Sequence, residues 1–203
     1  MMWIGLTGGL ASGKSTVSNL LKRQSIPVID ADELAHQALR PGTGPYQKVL
    51  SHFGKSILAG DQSIDRKKLG ALVFNQKDEL VFLESVIHPY VQEQVLIHRE
   101  QALARGHGIA VYDVPLLFEK NLMSQFDRIL VVGAKEQTQI QRVLKRNQWS
   151  REEAIARLRN QLPIEDKIAR AHDVIWNEGT LQELELQTMQ WLQKMRSMSS
   201  SKA

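Results

Sequence analysis

Residues 5–16 read GLTGGLASGKST. Within them, Gly8-Gly9-Leu10-Ala11-Ser12-Gly13-Lys14-Ser15 fits G-x-x-x-x-G-K-[ST], the Walker A pattern. So much bare backbone adds little to a core, but it suits a loop that wraps phosphates. Its N–H groups point inward as donors, and bulky side chains would block them. The apolar run before it reads as a strand and the residues after it as a helix. The helix N-terminus adds partial positive charge. In such a loop Lys14 reaches the β- and γ-phosphates, and Ser15 places its hydroxyl on Mg²⁺.

Outward from this loop, short apolar runs recur at 3–7 (WIGLT), 26–30 (IPVID), 109–114 (IAVYDV), 128–133 (RILVVG) and 173–177 (DVIWN). They are nearly continuous rather than alternating, which suits strands covered on both faces, as in a parallel sheet. Helical spacing lies between them, in Val17, Leu20 and Leu21, in Ile140, Val143 and Leu144, and in Ile155, Leu158 and Leu162. Ser150 with Glu153, and Thr180 with Glu183, carry capping-box signatures. A last helix over about 180–196 places Leu181, Leu184, Leu192 and Met195 on one face. Strands alternating with helices predict an α/β fold around a central five-stranded, mainly parallel sheet.

Residues 31–108 separate the second and third strands, where a whole βαβ unit needs only ~30. This interval also reads as helical, in DELAHQAL, RKKLGALVF and the long run from Lys77. It predicts a helical substrate subdomain inserted in the core.

Two carboxylates stand past the second strand, at a strand's carboxyl end where ligands of open parallel sheets sit. Asp30 with Glu33 resembles a capping pair, so Asp30 reads as structural. Asp32 then reads as the carboxylate that accepts a proton from an attacking hydroxyl or holds the metal's water shell. Asp113 ends a buried run in a weak Walker B-like pattern, which makes it a second Mg²⁺ candidate; any buried strand ending in a polar turn looks the same. Arg142 and Arg146 share a helix face. They suit charge neutralisation on a transferring phosphoryl group, or else form a solvated basic face.

Composition excludes several classes. The 203 residues contain no cysteine, so disulfides, thiolate metal sites and cysteine nucleophiles are absent. The six histidines show no metal-ligand spacing and no G-x-S-x-G elbow occurs. Without a ~20-residue apolar run or a basic n-region, neither a membrane span nor a signal peptide is expected, and a cytoplasmic location is. The net charge of +4 allows an anionic partner. No run of five basic residues points to nucleic acid. The IHPY stretch at 87–90 reads as a helix boundary at Pro89, and SMSSSKA at 197–203 as a disordered tail. The oligomeric state is left open.

The ordered set VIDAD (28–32), PG (41–42), FG (53–54), IDR (64–66), HP (88–89), DVPLLFE (113–119), QIQRVLKR (139–146), Gln161 and VIWN (174–177), with the Walker loop, resembles the dephospho-CoA kinase family over nearly the whole chain. The resemblance implies a P-loop kinase-like three-layer fold. The core would comprise 1–32, 109–137 and 166–196, the CoA-binding helical insertion 33–108, and the lid 138–165. ATP would donate its γ-phosphoryl group to the ribose 3′-hydroxyl of dephospho-CoA, with Mg²⁺. Asp32 matches the family's catalytic base, Arg142 the lid arginine, and Ala11 to Thr16 the ATP loop, with Gly8 and Gly9 before it. Arg66 and His88 match substrate-side positions, and Asn177 lies near where adenine is held. Ala11 replaces a common glycine, which is tolerable if its φ is negative. His172 stands where a small or acidic residue is frequent. Other readings are a different small-molecule P-loop kinase, for a nucleoside monophosphate or a sugar acid, a non-catalytic nucleotide switch, and a nucleic-acid-binding ATPase.

Overall fold

The computed structural model describes residues 1–73, 76–147 and 149–200. All five apolar runs form strands: β1 (Met2–Gly8), β2 (Val28–Asp30), β3 (Ile109–Asp113), β4 (Arg128–Gly133) and β5 (Asp173–Trp176). They form one sheet in the order β2-β3-β1-β4-β5. β1 runs parallel to β3 and β4, and β4 parallel to β5. All seven β1 residues are buried, which explains why the run does not alternate.

One face of the sheet offers Met2, Ile4, Leu6, Ile109, Val111, Leu130, Val132 and Ile175. Against it pack Val17 and Leu21 of α1 (Lys14–Arg23) and Leu184, Trp191, Leu192 and Met195 of α9 (Leu181–Ser200). On the other face Trp3 stacks on Tyr112 and Phe126. A Cβ on Gly5 would stand 2.6 Å from Leu117 there, so the absence of a side chain lets the segment after β3 close over the strand. Helices α6 (Glu136–Arg146), α7 (Arg151–Arg159) and α8 (Ile164–Ala169) lie between β4 and β5. Both expected capping boxes form, at Ser150–Glu153 and at Thr180–Glu183.

The chain divides into two compact units, 1–29 with 101–203, and 30–100. The second unit contains α2 (Ala31–Ala38), α3 (Gly44–Phe53), α4 (Arg66–Val73) and most of α5 (Lys77–Ala104). Its own core gathers Tyr46, Val49, Ile57, Ile64, Leu69 and Val73.

The structure departs from the sequence reading in several places. Pro89 lies inside α5 rather than at a boundary. A helix of 28 residues absorbs the one hydrogen bond that Pro89 cannot donate. Helix α3 was not anticipated; Thr43 caps it by accepting the Tyr46 N–H at 3.1 Å, with a proline in the first turn. Leu181 is 64% exposed and leaves the apolar face, whose place Trp191 takes. The tail expected to be disordered from 197 is helical to Ser200, where Met198 packs on the core and the Ser199 hydroxyl donates to the Gly108 carbonyl at 2.8 Å. Residues 201–203 of that tail and Phe74, expected to end α4, lie outside the described residues.

Candidate active site

β1 lies between β3 and β4, so the strand order reverses at its carboxyl end. Open parallel sheets bind ligands at such a switch point. There Gly8 closes β1 and the chain turns through Gly9–Gly13 into α1. The turn is held by the Ser12 N–H on the Gly9 carbonyl at 3.1 Å, and by the Thr16 and Val17 N–H groups on the Gly13 carbonyl at 2.9 and 3.2 Å. Gly13 sits at φ +96°, a left-handed position, and no side chain caps the helix. A helix start with no side-chain cap can take an anion at its remaining first-turn N–H groups, those of Lys14 and Ser15.

The loop is packed tightly from behind. A Cβ on Gly9 would stand 2.5 Å from Gln139 Oε1, and one on Gly13 would overlap the Asn177 amide. Asn177 donates its Nδ2–H to the Ser12 carbonyl at 2.8 Å, and its own N–H to the Gly133 carbonyl at 2.8 Å. At 7% exposure, its side chain braces the loop main chain. Ala11 has φ +54°. The expected negative φ is not observed, and the methyl group sits in a region that costs about 1–2 kcal/mol for a non-glycine residue.

Charge is organised around this cradle. Lys14 forms a short ion pair with Asp113 at the end of β3, with side chains 16% and 1% exposed. Arg142 on α6 donates from Nη2 to Asn177 Oδ1 at 3.4 Å, while its Nη1 is buried without a hydrogen-bond partner. A buried guanidinium nitrogen left unpaired is costly. Arg146, on the same helix, is instead exposed and donates to Asn147 Oδ1 at 3.0 Å. Ser15 is exposed at the start of α1.

Among the described residues no group of three or more His, Asp or Glu side chains gathers as a metal cluster. Mg²⁺ bound with a nucleotide needs no such cluster. It takes one or two protein oxygens and fills its octahedron with phosphate oxygens and water. The Ser15 hydroxyl and the Asp113 carboxylate fit that requirement.

The second unit carries the acceptor-side candidates. Asp30 is the α2 cap, its Oδ1 accepting the N–H groups of Asp32 at 2.9 Å and Glu33 at 3.1 Å. Glu33 does not close the capping pair; its Oε1 accepts from Gln37 and Arg40. Asp32 stays exposed and lines a cavity of about 510 Å³ with His36, Arg66, Leu39, Leu69 and Leu83. The IDR stretch builds one wall. Ile64 is buried in the core, Asp65 accepts the N–H groups of Lys67 and Lys68 as the α4 cap, and Arg66 faces the cavity. His88 is exposed on α5 and not part of that wall, although Ile87 beside it is.

Sequence reasoning missed four side chains behind the loop. Gln139 is 3% exposed and donates to the Ala134 carbonyl at 2.7 Å. Gln161, seen only as part of the family pattern, accepts the Leu10 N–H at 3.1 Å. Glu119 and Lys167 form a 2.8 Å ion pair. Long polar side chains ordinarily point to water, so nothing local in the sequence signals these burials.

The chain is similar to known proteins over nearly its whole length. The family model for dephospho-CoA kinase matches residues 2–183. A dephospho-CoA kinase of Bacillus cereus is 46% identical over 184 residues, covering 91% of this chain and 92% of that protein. Among solved structures, TT1252 from Thermus thermophilus superposes with a TM-score of 0.80 at 35% identity, covering 95% of this chain and 97% of that one. The dephospho-CoA kinase from Campylobacter jejuni gives a TM-score of 0.66 at 28% identity, over 95% and 96% of the two chains. A bare phosphate cradle with a lysine at its rim, on a parallel sheet whose sequence matches that model almost end to end, means that this chain belongs to the dephospho-CoA kinase family.

Proposed function

We propose that this chain transfers the γ-phosphoryl group of ATP to the ribose 3′-hydroxyl of dephospho-CoA, giving coenzyme A and ADP. The observation that carries this reading is the cradle itself, the uncapped Gly9–Gly13 turn into α1 with Lys14 at its end, and Asn177 bonded both to its Ser12 carbonyl and to Arg142.

Phosphoryl transfer needs positioning and charge neutralisation more than covalent chemistry. In this reading the loop from Ala11 to Thr16 holds the triphosphate and Lys14 neutralises it, moving from Asp113 to the β- and γ-oxygens. Ser15 and Asp113 would hold Mg²⁺, which supplies further neutralisation when bound. Asn177 keeps the loop in shape. Segment 138–165 acts as the lid, and Arg142 exchanges Asn177 for the phosphates. Arg146 has the weaker claim because its guanidinium is exposed and already bonded to Asn147.

On the acceptor side Arg66 suits an anionic group of dephospho-CoA, with His88 at the margin of that surface. Asp32 orients the 3′-hydroxyl and accepts its proton as the oxygen bonds to the γ-phosphorus. The bond from that phosphorus to the bridging oxygen breaks and ADP leaves. No described helix is long and apolar enough to cross a membrane, and the cytoplasm is the location we assign.

ADP release with Mg-ATP, measured with and without dephospho-CoA and against a panel of nucleoside monophosphate and sugar-acid acceptors, tests the reading. Turnover only with dephospho-CoA, with a mass gain of one phosphoryl group, is expected. ADP release indifferent to acceptor, or preferring another acceptor, overturns it.

A further inference from the structure

Lys167 on α8 is fully buried, and its ammonium group lies 2.8 Å from Glu119 Oε1 and 3.5 Å from the Gly8 carbonyl. The same Glu119 oxygen accepts the Leu162 N–H at 3.0 Å, while Glu119 Oε2 is buried without a partner. One residue earlier, Gln161 Oε1 accepts the Leu10 N–H. Two successive residues past α7 are thus tied to the phosphate loop, Gln161 directly at Leu10 and Leu162 through Glu119 and Lys167 to Gly8.

Stability is a poor account of this pair. A buried ion pair is commonly no better than apolar residues of the same volume. Its side chains bond the Gly8 carbonyl on one side and the Leu162 N–H on the other, between the loop and the end of segment 138–165. The carboxyl is held below its usual range: burial, the largest influence, works to raise it, and the Lys167 ammonium and the Leu162 N–H outweigh that.

We infer that Glu119 and Lys167 are positioning residues that clamp the Gln161–Leu162 end of the Arg142-bearing segment onto the phosphate loop. The clamp fixes the point about which that segment meets a nucleotide. This inference rests on the nucleotide reading of the loop, and its test separates the two.

Lys167→Met and Glu119→Ala are compared with Glu119→Gln, which keeps an acceptor for the Leu162 N–H. The first two should lower kcat/KM for ATP by about ten-fold or more, with KM for dephospho-CoA within about two-fold of wild type. Glu119→Gln should recover at least about a third of wild-type kcat/KM. In the nucleotide-free protein, amide exchange at Leu10, which Glu119 does not touch, should accelerate in Glu119→Ala and not in Glu119→Gln. If Lys167→Met does not fold, Glu119→Gln with Lys167→Met, which buries no charge, takes its place. Unchanged ATP kinetics in the folded variants, or unchanged Leu10 exchange in Glu119→Ala, overturns the inference. Should wild type show no acceptor-dependent turnover, the nucleotide-free Leu10 exchange still decides whether the clamp exists.

Discussion

Replacing Lys14 with alanine should damage the protein in two separable ways. Lys14 faces Asp113, whose side chain is 1% exposed. Removing one member of a buried pair costs about 3–5 kcal/mol. Lys14 itself is 16% exposed, so water entering the vacated space brings the loss to the lower end, about 3 kcal/mol. For a chain of this length each kcal/mol moves Tm by roughly 2–4 °C, so Lys14→Ala should melt about 6–12 °C below wild type. Turnover should fall by a further and independent factor of about 10²–10³, the scale for losing one charge-stabilising group.

The double variant Lys14→Ala with Asp113→Asn tells the two effects apart. It also removes the buried Asp113 charge and should recover more than half of the lost Tm, while turnover stays at or below that of Lys14→Ala. Calorimetric melts and coupled ADP assays on wild type, both singles and the double complete the cycle. If the double is no more stable than Lys14→Ala, the charge-pair argument is wrong. If turnover returns with stability, Lys14 acts through the fold and not on phosphate.

Asp32→Ala should reduce kcat about 10²–10⁴-fold through loss of proton acceptance, with Tm nearly unchanged because the side chain is exposed; near-normal turnover would remove Asp32 as the base. Ala11→Gly relieves a φ of +54°, and the relief of about 1–2 kcal/mol less about 0.5–1 for added unfolded-state freedom predicts a Tm gain of roughly 1–4 °C; a lower Tm refutes the strain. Asp173, in which burial is outweighed by Arg128 and Lys194, has a carboxyl held below its ordinary 3.8. A depressed folded pKa means stability that is present above the unfolded value and lost as pH falls through the folded one. Melts should therefore show an acid loss beginning near pH 4 that is smaller in Asp173→Asn, and an equal loss in both would remove the group from the acid transition.

The strands were legible because burial on both faces leaves continuous apolar runs, and β1 and β4 are buried almost throughout. Helix starts were legible where a cap is local, as at Ser150 and Thr180. What failed was punctuation. Gly44-Pro45 carried no helix in the sequence reading, yet it opens α3, because proline suits a first turn once Thr43 caps it. Pro89 reads as a stop, yet α5 runs through it. The serine-rich end reads as disordered, yet Met198 has a core to pack on and Ser199 a carbonyl to bond. In each case a tertiary partner outweighed a local preference.

The site divides along the same line. The phosphate loop was legible because its chemistry demands bare backbone in consecutive positions, and consecutive residues are what a sequence displays. Asp30 and Asp32 could be told apart because capping is also a local rule, and Asp30 does hold the Asp32 and Glu33 N–H groups. The supports were not legible. Gln139, Gln161, Lys167 and Asn177 are scattered along the chain and have meaning only as neighbours of Gly8–Gly13. Asn177 shows the consequence. By family position it belongs beside adenine, but its amide is committed to the Ser12 carbonyl and to Arg142. These bonds use one of the two N–H donors and one of the two oxygen lone pairs of the amide. What the bonds show is a side chain that braces the loop main chain and holds Arg142, two features far apart in sequence.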